Sequence, residues 1–202
     1  MPPPDELANT LERVGSRHIV LDRERRTIEF RRPGVELNLG AIGKGYALDR
    51  AAELLRRDWN VAAAVLHGGQ SSVYAIGSPP SNVSDTNAWL VAIAHPLKPG
   101  DQIAMVRLRD AALGTSGATI QYFEVNGRRF GHILDPRTGW PADGRACVSV
   151  IAPTAAEADA LSTAFFILGP DAARDYCERH PGFGAVVFAS AGVVAVAHPE
   201  PG

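Results

Sequence analysis

Hydrophobic and polar positions alternate at two different periods along this 202-residue chain, and each period predicts a different kind of element. A period of two indicates half-buried strands, whereas apolar residues that recur every three or four positions indicate amphipathic helices. The strand patterns are more numerous, and most come in neighbouring pairs joined by short polar turns, as β-hairpins do. The chain is therefore predicted to be an α+β protein, with hairpin-rich mixed or antiparallel sheets and packed helices.

The strand patterns form five hairpins and two further strands. The hairpins pair His18–Asp22 with Thr27–Arg31, Val61–His67 with Ser71–Ile76, Trp89–Ala94 with Gln102–Leu108, Tyr122–Val125 with Arg128–Leu134, and Phe183–Ala189 with Val193–Ala197. The fourth is strongly indicated, because Asn126-Gly127 is the residue pair that two-residue turns favour. Ala111–Leu113 and Ala146–Ala152 are predicted as the further strands, with Thr115-Ser116-Gly117 leading from the first of them into the fourth hairpin.

Helical periodicity occurs in Glu6–Val14, in the second half of Leu37–Trp59, after Thr154, and in Asp171–His180. The third helix has clear end signals, since Thr154 and Glu157 form a capping box and Gly169 is a stop. Its buried face is expected to contain Ala158, Leu161, Phe165 and Leu168. Residues 1–17 are predicted to be a tail with a short helix, Met1–Asp5 being loose, and residues 18–198 a single domain.

Composition narrows the class of protein. Apolar residues make up 46% of the chain and charged residues 21%, and the net charge is −2 with acids and bases intermixed, so nucleic acid is not an expected partner. No apolar run approaches the roughly 20 residues of a membrane span. The start, M-P-P-P-D-E-L, lacks the features of a signal peptide, so the chain as written is expected in the cytoplasm. Cys147 and Cys177 indicate neither a zinc site nor a disulfide scaffold.

A glycine-rich segment precedes the second helix. Gly40, Gly43 and Gly45 surround Lys44 in the sequence L-N-L-G-A-I-G-K-G-Y. Glycines at a helix start let backbone N–H groups approach an anion, and the helix dipole favours that anion. The simpler interpretation of the same glycines is a helix entry that packs closely on a neighbouring element. A phosphate site and a packing role both remain open from these residues alone.

The third helix carries an acid and an alcohol four positions apart. Asp159 and Thr163 therefore share one side of the helix, where their oxygens can bind a hard cation such as Mg²⁺. The simpler interpretation is structural. In that case Asp159 interacts favourably with the helix dipole, and Thr163 donates back to a helix carbonyl.

A third candidate is the stretch G-H-I-L-D-P-R-T-G-W-P at 131–141. His132 stands just before a turn that contains Asp135 and Arg137, a suitable place for proton transfer near an anionic ligand. Turn-forming residues of this kind also occur in proteins without such chemistry, so the motif alone does not assign a role.

Three blocks together resemble the FAD:protein FMN transferase (ApbE) family. They are L-N-L-G-A-I-G-K-G-Y-A-L-D-R-A-A-E-L-L at Leu37–Leu55, the segment from T-S-G to H-I-L-D-P-R-T-G-W-P at Thr115–Pro141, and V-S-V-I-A-P-T-A-A-E-A-D-A-L-S-T-A-F-F-I-L-G-P at Val148–Pro170. The resemblance implies an ApbE-like fold. It also implies a Mg²⁺-dependent enzyme that cleaves FAD and attaches FMN to a threonine or serine in a flavinylation motif of an acceptor protein.

The resemblance further implies a role for individual residues. The implied set is His132 as the base, Asn38, Lys44 and Ile133 as FAD contacts, and Ala41 (through its carbonyl), Asp159 and Thr163 as metal ligands. Family members are commonly periplasmic or inner-membrane lipoproteins, which differs from the cytoplasmic location expected from this sequence.

The chain also departs from the family pattern. A further N-terminal region that helps to hold FAD is expected to be missing, Asn38 replaces the usual aspartate, and H-G-G-Q-S-S at His67–Ser72 replaces an N-x-G-G-D-like turn. Two alternatives therefore stay open: a non-catalytic or weakly active flavin-binding module, and a metal-dependent FAD pyrophosphatase. Ser116-Gly117-Ala118-Thr119 resembles the acceptor motif of the family, although Thr115-Ser116-Gly117 is also part of the enzyme's own second block.

Overall fold

Helices and strands follow the predicted order along the chain. The computed structural model describes residues 2–81, 86–117, 122–125, 127–142, 145–189 and 192–196. The helices are α1 (Pro4–Leu11), α2 (Gly43–Trp59), α3 (Ala155–Leu168) and α4 (Pro170–Arg179). The strands are β1 (Ile19–Asp22), β2 (Thr27–Phe30), β3 (Ala64–His67), β4 (Ser72–Ile76), β5 (Trp89–Ala94), β6 (Gln102–Leu108), β7 (Ala111–Gly117), β8 (Tyr122–Val125), β9 (Arg128–Gly131), β10 (Arg145–Ala152), β11 (Gly184–Ala189) and β12 (Gly192–Val196).

A six-stranded sheet carries the main core. Its strand order is β12-β11-β10-β7-β4-β3, and every neighbouring pair is antiparallel. The hairpins β1–β2, β5–β6 and β8–β9 form separate two-stranded sheets. This arrangement confirms the α+β class, with antiparallel hairpins as its main building unit.

The two faces of the large sheet pack against different elements. On one face, Tyr74, Val148 and Val150 belong to a core cluster that also contains residues of α2, α3 and α4. On the other face, Val73 and Leu113 pack with residues of β5 and β6. Because successive strand residues point to opposite faces, every residue of β4 is buried. Even-numbered residues of β4, β7 and β10 thus face the helices.

Two glycines bring α3 unusually close to its neighbours. A Cβ on Gly45 of α2 would lie 2.0 Å from the Ala155 carbonyl oxygen, and a Cβ on Gly114 of β7 would lie 2.4 Å from the Ala158 carbonyl carbon. Only glycine allows backbones to approach this closely. The first turn of α3 is therefore held between the start of α2 and the middle of β7.

Several sequence predictions need correction. Helix α1 begins at Pro4, because proline is well tolerated in the first helical turn, so the predicted loose tail is wrong at its last two residues. Strand β7 continues to Gly117 and pairs with β10 along its length, where a connection was predicted after Leu113. Leu168, expected in the core, is 53% exposed at the end of α3. The predicted strand end at Ala197 and the turn residue Asn126 lie outside the described residues.

Candidate functional site

The side chain of Asp159 is the centre of the candidate site. It is only 3% exposed, on the first half of α3. Its Oδ2 accepts a hydrogen bond from the backbone N–H of Gly45 at 3.1 Å, and its Oδ1 accepts one from the Ser72 hydroxyl at 3.2 Å. The Lys44 ammonium lies 3.5 Å from both carboxylate oxygens. A buried carboxylate needs such partners, because an unpaired charge in the interior is costly.

The turn before α2 contributes backbone oxygens beside Lys44. Lys44 Nζ donates to the Gly40 carbonyl at 3.2 Å. In a continuous helix the N–H of Gly45 would donate to the Ala41 carbonyl, but here it donates to Asp159. Backbone hydrogen bonds to the fourth preceding residue are made on either side, from Gly43 to Leu39 and from Tyr46 to Ile42. Ala41 therefore precedes the start of α2, and the Gly45 N–H does not use its carbonyl.

Helices α2 and α3 exchange carboxylates at their N-termini. Asp49 of α2 accepts hydrogen bonds from the N–H groups of Ala155 at 2.7 Å and Ala156 at 2.9 Å. In return, Asp159 of α3 accepts one from Gly45. In each helix, the aspartate follows by four residues the residue whose N–H is bound: Asp49 follows Gly45 in α2, and Asp159 follows Ala155 in α3. The free N–H groups and the positive dipole end of each helix are thus met by an acid from the other helix.

Three hydroxyl groups continue the site toward β7. Ser116 Oγ lies 2.8 Å from Ser162 Oγ and 2.8 Å from Thr163 Oγ1. Ser162 donates to the Asp159 carbonyl at 2.9 Å, and Thr163 Oγ1 lies 3.5 Å from that carbonyl oxygen. The side chain of Thr163 is therefore held by Ser116 of β7, close to the backbone of its own helix.

The histidine motif forms a well-defined turn on a separate segment. His132 is exposed just after β9, while Ile133 is buried in the core cluster that includes Leu48 of α2 and Ala158 of α3. Asp135 accepts hydrogen bonds from the Arg137 backbone N–H and guanidinium, and the bond to the guanidinium raises the pKa of Arg137. The two charged groups expected beside the histidine are therefore paired with each other.

Two further contacts shape the loops around the site. Asn38 Oδ1 accepts a hydrogen bond from the Gly40 N–H at 2.7 Å, which forms a side-chain turn before α2. At the histidine turn, a Cβ on Gly139 would lie 2.6 Å from Leu7 Cδ1, so α1 rests against this turn. The Asn38 oxygen thus has a structural contact in the loop where the resemblance placed an FAD contact.

The structure joins some of the predicted site residues and leaves others apart. Lys44 contacts Asp159, Thr163 lies one turn further along α3, and Ala41 precedes α2 in the same corner. His132 and Ile133 lie on another segment, where Ile133 is buried in the cluster that includes Ala158 of α3 and His132 is exposed. Sequence reasoning missed Asp49, Ser72 and Ser116. Ser72 is a polar residue on the helix-facing side of an apolar strand pattern, and that signal points to a buried polar contact.

No group of three or more His, Cys, Asp or Glu side chains that could hold a metal ion occurs in the described part of the chain. Any cation at Asp159 would therefore use hydroxyl, carbonyl or water oxygens as well. Among the helices whose residues are described, none is long and apolar enough to cross a membrane.

The fold and this corner define an α+β protein with a buried acid beside a lysine at a glycine-rich helix start. The sequence model of the ApbE family matches residues 1–187, and the chain belongs to this family.

Relatives support this assignment. The FAD:protein FMN transferase of Treponema pallidum is 35% identical over 212 residues, covering 96% of this chain and 58% of the relative. The FAD:protein FMN transferase of Haemophilus influenzae is 35% identical over 184 residues, covering 89% of this chain and 51% of the relative. The crystal structure of the ApbE protein from Thermotoga maritima matches with a TM-score of 0.84 at 31% identity, covering 96% of this chain and 62% of that chain. The chain thus spans about half to three-fifths of the length of these proteins.

Proposed function

We propose that this protein transfers FMN from FAD to a threonine or serine hydroxyl of a target protein, with Mg²⁺ as the cofactor. The observation that carries the proposal is the buried Asp159 carboxylate beside Lys44 at the start of α2. It occurs in an ApbE family member with relatives named FAD:protein FMN transferase. The activity is a proposal for this chain, which spans only part of the length of those relatives.

The residues in this corner are suitable for a hard cation. The Lys44 ammonium lies between the Gly40 carbonyl and both Asp159 oxygens, so the position already accommodates a positive charge. Asp159, Thr163 and the Ala41 carbonyl would hold Mg²⁺, which prefers oxygen ligands and keeps several waters. When bound, Mg²⁺ supplies neutralisation of the pyrophosphate charge.

The start of α2 is also suitable for the dinucleotide. Lys44 is about half exposed, so its ammonium can contact a phosphate on its open side. Leu39, Ile42 and Tyr46 flank it in sequence and are exposed apolar side chains, which offer surface to the flavin or adenine ring. Asn38 and Ile133 would complete the FAD contacts, as the family resemblance implies.

His132 is the proposed general base. It is exposed, so a protein substrate can approach it, and the buried Ile133 beside it fixes the backbone at this point. The acceptor hydroxyl oxygen forms a new P–O bond to the FMN phosphate while the bridging P–O bond to AMP breaks. The imidazole takes the hydroxyl proton, and AMP leaves.

The test is to incubate the chain with FAD, MgCl₂ and an acceptor domain, and to measure the acceptor mass. We expect an increase by one FMN, abolished by EDTA, by His132→Ala and by Asp159→Asn. Asp171→Asn is the matched control, because Asp171 is a 91%-exposed aspartate on α4. Release of FMN and AMP without labelling would favour a pyrophosphatase. FAD binding without turnover would favour a binding module, and either result would contradict the transferase.

A further inference from the structure

The three hydroxyl groups beside Asp159 have a defined number of protons to share. Ser116, Ser162 and Thr163 each have one proton to donate and two lone pairs that accept. Four oxygen pairs at 3.5 Å or less connect them to one another and to the Asp159 carbonyl, which can only accept. Three protons must therefore serve four contacts, and one contact lacks a proton.

The distances decide which contact lacks a proton. Three of the pairs are 2.8, 2.8 and 2.9 Å long, whereas Thr163 Oγ1 lies 3.5 Å from the Asp159 carbonyl oxygen. Two oxygens without a proton between them repel each other at less than about 3 Å but tolerate 3.5 Å. The 3.5 Å pair is therefore the one without a proton.

This condition fixes the direction of every hydrogen bond. Ser162 must donate to the Asp159 carbonyl, so the Ser116–Ser162 contact must be made with the Ser116 proton. Ser116 then has no proton left for Thr163, and Thr163 must donate to Ser116. Among the described residues nothing donates to Thr163 Oγ1, so both of its lone pairs stay available.

We infer that Ser116 is a positioning residue for cation binding: it accepts the Thr163 proton and so presents Thr163 Oγ1 as a pure electron-pair donor next to Asp159. The inference rests on the proposed function, in which Thr163 is a ligand of Mg²⁺. Partners that orient metal ligands in this way affect metal affinity although they do not touch the metal. Ser116 thus has a role in the site that its position on a sheet strand does not suggest.

The test measures cation affinity without FAD, by calorimetric titration of the chain with MnCl₂ and MgCl₂. Ser116→Ala is expected to weaken binding about tenfold. Ser116→Thr, which keeps the hydroxyl, is expected to bind within about threefold of wild type. Thr115→Ala is the matched control, since Thr115 makes a hydroxyl contact of equal length, 2.8 Å to Ser149, on the opposite face of the strand. It is expected to leave affinity unchanged.

Four outcomes would overturn the inference. If Ser116→Ala binds Mn²⁺ as tightly as wild type, or if Thr115→Ala loses as much affinity, Ser116 has only a structural role and the proposed function stands. If Ser116→Ala does not fold, as judged by circular dichroism, Ser116→Cys replaces it, and wild-type affinity in that variant contradicts the inference. If wild type shows no Mn²⁺ binding that Asp159→Asn abolishes, the proposed function fails together with the inference.

Discussion

The same substitution, glycine to alanine, is expected to have opposite effects at two positions of α2. A Cβ at position 45 would lie 2.0 Å from the Ala155 carbonyl oxygen and 2.7 Å from the Ala156 nitrogen, both of them backbone atoms. A Cβ at position 43 meets only Leu39 Cβ, at an ordinary contact distance of 3.6 Å. The local sequence around the two glycines is similar, so the difference comes from the approach of α3.

The magnitudes follow from these contacts. Gly45→Ala requires α2 and α3 to separate by about 1 Å, and overpacking of this kind costs about 1–3 kcal/mol. The separation also weakens the Gly45–Asp159 hydrogen bond, for about 1–3 kcal/mol, while alanine regains about 1 kcal/mol of helix propensity. The net loss of stability is about 3 kcal/mol, within limits of about 1–5 kcal/mol. Gly43→Ala has only the gain in helix propensity, so its free energy of unfolding should rise by about 0.5–1 kcal/mol.

Urea unfolding followed by circular dichroism measures both free energies of unfolding. In thermal melts of a chain of this size, each kcal/mol of lost stability lowers Tm by about 2–4 °C. For a net loss of about 3 kcal/mol, Gly45→Ala is therefore expected to melt about 6–12 °C below wild type, and Gly43→Ala slightly above it. Equal stability of the two variants would show that α2 and α3 do not approach as described, and the Asp159 site would lose its support.

Three further predictions concern groups around the same core. Asp49→Ala leaves two N–H groups at the start of α3 without a partner and should lower the free energy of unfolding by about 2–3 kcal/mol. The control is Glu53→Ala, because Glu53 is an exposed acid one turn further along α2. It should cost less than about 0.5 kcal/mol in the same urea unfolding assay. Lys44→Met removes the cation beside Asp159, so Mn²⁺ affinity should rise about three- to fivefold while FAD affinity falls, both measured by calorimetry. Burial raises the pKa of the Cys147 thiol from 9.0 to about 11, so the unfolded chain loses this proton at a lower pH than the folded chain. Stability should therefore fall as the pH rises from about 9 to about 11. Urea unfolding of wild type and Cys147→Ala across this pH range tests this, and the variant should show the smaller fall.

Local signals were sufficient to predict most elements. Thr154 accepts a hydrogen bond from the Glu157 N–H, and Gly169 ends α3, as the capping pattern predicted. Strands β5 and β6 have the predicted bounds, because their alternation and the turn between them are local properties. The sequence predicts well those elements whose boundaries depend on residues nearby in the chain.

The errors occurred where distant partners decide the structure. Strand β7 continues through Thr115 and Ser116 because β10 pairs with it, and a hydroxyl-rich segment carries no strand signal of its own. Leu168 has the correct helical spacing but lies at the end of α3, beyond the part that packs on the sheet. Neither outcome can be derived from residues within the segment itself.

In the candidate site, too, local features were predictable from sequence and contacts between distant residues were not. The contact between Lys44 and Asp159 joins residues 115 positions apart, and only the family resemblance brought them together before the structure did. Asp49 was missed because an acid in the middle of an amphipathic helix normally faces solvent, and only the close approach of α3 gives it two N–H partners. Whether His132 acts with this corner stays a prediction.

Two substitutions of Asp159 separate its hydrogen bond to the Gly45 N–H from its proposed role in cation binding. Asp159→Asn keeps a carbonyl oxygen for the Gly45 N–H, and the Ser72 hydroxyl can rotate to accept from the amide, so stability should change by less than about 1 kcal/mol. Asp159→Ala leaves the buried Gly45 N–H without a partner and also creates a cavity. The free energy of unfolding should therefore fall by about 2–4 kcal/mol. Both variants should lose Mn²⁺ binding in calorimetric titrations, because each removes the charge. An asparagine variant as unstable as the alanine variant would mean that Lys44 needs the negative charge to keep this corner folded, and the capping role of Asp159 could not be separated from its charge.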